Sequence, residues 1–137
     1  MYELTLILVG LLAGSLLTEG MVLVPFWRGL PIEKFYELHG SGGPKLFRYF
    51  APLTTFAVLA ALGHAVTSGG SGSWIAASLC CLNLASFFVF FRGVNNKLAA
   101  HAYNEADLSK VLGKWAIWHY ARTFLMLTAF AILSFAP

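Results

Sequence analysis

The chain predicts an all-α fold: a bundle of four transmembrane helices, with a short interfacial amphipathic helix between the first and second. Three observations carry this reading. Four apolar stretches, about residues 4–27, 46–67, 74–97 and 115–135, are each long enough to cross a bilayer core, which takes about 20 helical residues. The composition is 58% hydrophobic and 11% charged, where a soluble domain carries about 25% charged residues. All nine Lys and Arg fall in the connection between spans one and two, in that between spans three and four, or just inside the span ends facing them. Cytoplasmic loops collect basic residues, so both termini are expected outside the cytoplasm, in a bacterial inner membrane. Four spans nearly exhaust the length, which predicts one integral membrane domain over residues 1–137.

Span one runs to Trp27, whose indole suits the headgroup level. It opens with Glu3 and no basic residue and is too long for a signal-peptide core, so it reads as a retained span. Gly10 and Gly14 form a small-xxx-small pair that permits close helix approach. Pro31 then suits a first helical turn. Ile32, Phe35, Tyr36 and Leu38 alternate with charged residues, as in a helix lying in the interface. Gly40, Gly42, Gly43 and Pro44 predict a break before span two, and Pro52 predicts a kink within it. Ser68 to Ser73 is a short uncharged turn, so spans two and three are antiparallel neighbours. Span three stays helix-compatible to Tyr103, and so either projects beyond the bilayer or bends at Gly93. Asn104 suits an N-cap, with Glu105 and Asp107 in the first turn of the last helix.

Depth follows from helical rise. Glu19 lies about 12 Å inside the boundary marked by Trp27, and Arg122 about 10 Å inside that marked by Trp115. Glu19, Arg92, Asn95, Asn96, His119 and Arg122 therefore share one half of the bundle. Ionisable groups in a membrane face the interior and pair, and depth and sign pair Glu19 with Arg122. Trp115, His119 and Arg122 fall on one helical face, and Trp118 precedes Arg122 by one turn. Such a face offers aromatic walls, an imidazole and a fixed cation to a flat acidic or phenolic ligand. A purely structural salt bridge, with interfacial tryptophans, is the competing reading. Asn83, deep in span three, predicts an interhelical hydrogen bond.

Other classes are less favoured. The net charge of +3 includes no dense basic run, so it suits loops facing anionic lipid and predicts no nucleic-acid partner. Cys80 and Cys81 are adjacent in a span and read as small packing residues. Metal-ligand spacing is weak, which leaves metal content unknown; Glu19, His39 and His119 are the candidate ligands, and a haem is a further alternative.

Several segments resemble the anthrone-oxygenase-like family of small four-helix membrane proteins. They are Leu11-Leu12-Ala13-Gly14 leading to Pro25, Leu30 and Phe35; Asn96-Lys97-Leu98; and the tryptophan-rich stretch from Trp115 and Trp118-His119 to Arg122-Thr123. The chain departs from the family pattern at His119 and His39, where Asn is frequent. The resemblance implies a membrane oxidoreductase that oxygenates a polycyclic phenol with no cofactor. It implies catalytic roles for Glu19 or His119 as base and Arg122 as enolate partner. Arg92, Asn95, Asn96, Trp115 and Trp118 would contact the substrate. Two other classes stay open: a non-catalytic small subunit or assembly factor of a larger membrane complex, and a lipid or quinone binder. Expected partners are the bilayer, a small aromatic ligand or quinone, and further copies or subunits.

Overall fold

The computed structural model describes residues 1–135. These form four long helices: α1 (Tyr2–Arg28), α2 (Ile32–Ser68), α3 (Ser71–Ala99) and α4 (Glu105–Phe135). Each is long and apolar enough to cross a membrane, and the described residues include no strand. The protein is thus an all-α integral membrane protein. The helices alternate in direction and pack in a ring, α1 against α2 and α4, and α3 against α2 and α4.

Short side chains let the helices approach. Ala57, Ala61, Ala76, Ala77, Cys80 and Ala129 are buried in one cluster with Val9, Leu12 and Leu16. Lipid is as apolar as this core, so association depends on close van der Waals contact, which small residues allow. At Gly10 a Cβ would fall 2.8 Å from the Phe130 ring of α4, so a larger residue there would displace that ring. Gly14 meets nothing within 4 Å. It lines an outward-facing groove of about 580 Å³ with Leu11, Thr18 and Phe130. Cys80 and Cys81 are free thiols.

The first connection departs from expectation. The amphipathic segment is helical, but α2 runs unbroken through Gly40, Gly42, Gly43 and Pro44. Pro44 removes the donor that the Gly40 carbonyl would otherwise receive. Tertiary contacts outweigh this local cost. Phe35 and Tyr36 are buried against Leu98, Leu108 and Leu112. The Tyr36 hydroxyl donates to the Tyr103 carbonyl at 3.0 Å and accepts from the Tyr103 N–H at 3.3 Å. The first turns of α2 are therefore fixed before the glycines are reached.

The ends of α3 and α4 follow their capping chemistry. At the end of α3 the Ala102 N–H reaches the Lys97 carbonyl and the His101 N–H reaches Leu98. His101 takes the left-handed conformation, φ 52°, that this terminus requires. Asn104 caps α4 as expected, its Oδ1 accepting the Asp107 N–H at 2.9 Å. Gly69, φ 67°, closes α2 at the opposite end. The helix runs through Gly93, and its irregularity falls slightly earlier, as a π-helical turn over Phe87–Phe91. A second π turn, Glu19–Leu23, interrupts α1.

Candidate functional site

The π turns of α1 and α3 each bring a side chain to Arg122 on α4, and the polar residues meet there. Glu19 opens the turn in α1, where the Val24 N–H reaches back five residues to the Glu19 carbonyl. Its side chain is buried, as is that of His119 on α4. Arg122 Nη2 donates to Glu19 Oε2 at 3.2 Å and to His119 Nδ1 at 3.0 Å, and Nε approaches the same Nδ1 at 3.3 Å. Glu19 Oε2 lies 3.7 Å from His119 Nδ1. The pair predicted from depth and sign is thus formed, and the imidazole belongs to it.

The partners fix the form of His119. Its Nε2 lies 2.9 Å from the Leu16 carbonyl, which can only accept, so Nε2 carries a proton. Its Nδ1 faces a guanidinium, which can only donate, so Nδ1 presents a lone pair. His119 is therefore the neutral Nε2–H tautomer, with both nitrogens engaged.

Aromatic rings enclose the cation. The guanidinium carbon sits 4.2 Å from the centre of Phe91, the last residue of the α3 π turn, with Trp115 at 5.9 Å and Phe50 at 6.0 Å. Trp115 stacks on His119 at 5.1 Å with planes 6° apart. Its Nε1–H donates to Asn95 Oδ1 at 3.1 Å. Trp27 meets Trp115 edge-on.

Glu19, His119 and Arg122 are thus in direct contact, with Trp115 and Asn95 behind them. Arg92 and Asn96 do not join; both are exposed on α3. Trp118 turns away and stacks on Phe90 at 4.9 Å. It stands about 60° around α4 from Trp115, and the α3 π turn offers it a ring on that flank. His39 stacks on Phe35 and is not among the triad's contacts. Among the described residues no group of three or more His, Cys, Asp or Glu side chains is arranged to hold a metal ion. Asn83 departs from expectation too: its Oδ1 is buried with no hydrogen-bond partner among the described residues.

Four participants were not anticipated from the sequence. Phe91 and Phe50 form the aromatic bed of Arg122. The Tyr120 hydroxyl donates to the Gly20 carbonyl at 3.0 Å, and Gly20 lies directly under the His119 and Tyr120 rings. The run Phe87-Phe88-Val89-Phe90-Phe91 was a usable signal for Phe91, since a buried cation seeks a ring face. No local pattern marks Gly20. A cleft of about 330 Å³ opens nearby between Pro25, Arg28, Gly29, Ser109 and Leu112; none of the triad lines it.

Chemically, the cluster places a carboxylate beside a fixed cation in apolar surroundings. Such a pair can accept a proton and stabilise the anion that remains. Among known proteins, a family model described as anthrone oxygenase matches residues 41–132. No curated protein and no solved structure matches the chain. That match covers most of α2, all of α3 and most of α4, including His119, Arg122, Phe91 and the Trp115–Asn95 pair, and on it the chain belongs to the anthrone oxygenase family.

Proposed function

We propose that this protein is a membrane oxygenase acting on a planar polycyclic phenol or enolisable ketone of the anthrone class, at the Glu19–His119–Arg122 cluster. The observation that carries the reading is that two π turns each bring a side chain to one half-buried cation. Such turns are frequent at functional sites. Here one delivers Glu19 and the other Phe91 to Arg122.

Glu19 is the better base. Both nitrogens of His119 are engaged, whereas the triad contacts of Glu19 run through Oε2, which leaves Oε1 to face a substrate. Arg122 holds the enolate oxygen, His119 holds Arg122 in place, and Trp115, steadied by Asn95, flanks the rings. The reaction draws its electrons from the substrate and needs no protein-bound cofactor. The methylene loses a proton to Glu19, and the enolate reduces dioxygen and becomes a hydroperoxide. The second methylene hydrogen leaves as a proton as the O–O bond breaks and water departs. One oxygen atom stays as a new carbonyl and the other leaves as water, so CH2 plus O2 gives C=O plus H2O. The Lys- and Arg-rich end, with its cleft, faces the cytoplasm of a bacterial inner membrane, and the aromatic substrate arrives from that side or from the lipid.

Dioxygen uptake by purified protein with a dihydroxyanthrone tests this. Wild type should exceed the spontaneous rate. Glu19→Gln and Arg122→Gln should each lose on the order of 10²-fold or more while staying helical. Uptake no faster than in buffer with detergent alone would sink the proposal.

One observation favours a second reading. Arg122 already joins Glu19 on α1 to His119 on α4, as a structural clamp between the two helices would. Under that reading the protein is a non-catalytic subunit or a lipid or quinone binder. The same variants would then alter only stability or assembly.

A further inference from the structure

We propose that Tyr120 and Gly20 are positioning residues, which together hold the α1 π turn in the register that points Glu19 at Arg122. The inference rests on reading Glu19 as the proton acceptor of the proposed oxygenase.

A π turn adds one residue to a helix and shifts the hydrogen-bond ladder from four residues to five, as the Val24 N–H on the Glu19 carbonyl shows. The wider turn tilts backbone carbonyls away from their ordinary donors, and side chains can then supply the bond. Here α4 supplies two. His119 Nε2–H donates to the Leu16 carbonyl at 2.9 Å, and the Tyr120 hydroxyl donates to the Gly20 carbonyl at 3.0 Å. The acceptors lie three residues before Glu19 and one after it, so the carboxylate-bearing residue is held on both sides. The donors are consecutive on α4, their rings 75° apart, so one short stretch of α4 holds the start of the turn.

The clamp closes this tightly because Gly20 has no side chain. A Cβ there would stand 3.1 Å from Tyr120 Cε1 and 3.2 Å from His119 Nε2. Both rings would have to give by a few tenths of an ångström, and each is held by its bond to a carbonyl. Tyr120 itself is 44% exposed, so core packing alone does not account for it, yet its hydroxyl is engaged by backbone. When that bond is released, the extra residue of the turn is free to move along α1. A slip of one position rotates Glu19 by about 100°, enough to carry its carboxylate off Arg122. One hydrogen bond shifts such a local equilibrium roughly fivefold, too little to unfold the bundle.

The test uses the full chain purified in detergent, with Tyr120→Phe and Gly20→Ala. The first readout is the infrared carboxylate band of Glu19, assigned by difference against Glu19→Gln. The second is steady-state turnover of a dihydroxyanthrone. Tyr120→Phe should shift or split the band and lower kcat about fivefold, with KM and thermal midpoint nearly unchanged. Gly20→Ala should do the same more strongly; should it fail to fold, Tyr120→Phe decides alone. A band and a kcat matching wild type in Tyr120→Phe overturn the positioning role and leave the oxygenase reading standing. A shifted band in a protein that turns nothing over supports the positioning role and removes the oxygenase reading.

Discussion

Arg122 is one residue whose neighbours belong to all four helices: Glu19 on α1, Phe50 on α2, Phe91 on α3 and His119 on α4 itself. A lone charge at membrane depth costs about 2.5–3.5 kcal/mol on insertion scales, and each neighbour offsets part of that cost. Removing one partner is worse than removing both, because it strands a buried charge. Glu19→Leu should therefore destabilise the protein by about 3–5 kcal/mol. The double variant Glu19→Leu, Arg122→Met should recover much of this loss in thermal unfolding in detergent. Additive losses would show that the two side chains are not coupled. Arg122→Lys should also fail to substitute, since an ammonium is a point charge that cannot both fork to two acceptors and lie flat on Phe91. The Glu19–Arg122 pair was legible in the sequence because depth and sign leave few alternatives. Which ring of the Phe87–Phe91 run would meet Arg122 was not, because ring direction depends on a π turn with no local signature. Trp118 misled for the same reason: helical spacing put it beside the site, and the ring of Phe90 drew it aside.

At the scale of elements, boundaries were legible where capping chemistry is local and illegible where tertiary contact decides. Asn104 stands where its side-chain chemistry places it, and Gly69 where its backbone freedom does. The break expected at Gly40–Pro44 is absent, since Phe35 and Tyr36 dock on α3 and α4 before the weak segment begins. His101 shows the same balance at the end of α3. It occupies a left-handed position that glycine favours, and it stacks on Tyr36 with centroids 4.3 Å apart. His101→Ala loses the stack and keeps the backbone strain; His101→Gly loses the stack and relieves the strain. The glycine variant should therefore be the more stable of the two by about 1 kcal/mol in thermal or denaturant unfolding. Equal stabilities would mean that this terminus unwinds at little cost. Asn104→Ala, which removes the cap of α4, should cost about 1 kcal/mol by the same measurement.

For the whole molecule, alternation of the four helices puts the two basic connections at one end and the uncharged 68–73 turn, with the described ends of the chain, at the other. The triad lies nearer the basic end, so the orientation of the bundle decides which leaflet and which aqueous phase supply the substrate. Basic loops resist translocation, and every lysine of this chain falls at that end or just inside it. The expectation is a cytoplasmic basic end, and the chain itself allows a direct check. Its two thiols, Cys80 and Cys81, are free and lie within α3, so replacing both with alanine leaves a background without cysteine. Ser71, at the uncharged turn, and Ser109, on the basic side, are both exposed. In intact cells Ser71→Cys should react with a membrane-impermeant maleimide, and Ser109→Cys should react only after lysis. The reverse pattern would place Glu19 and Arg122 in the outer half of the membrane. An oxygenase there would have to draw its phenol from outside the cytoplasm, which changes the substrates to be tried before any change in the chemistry of the site.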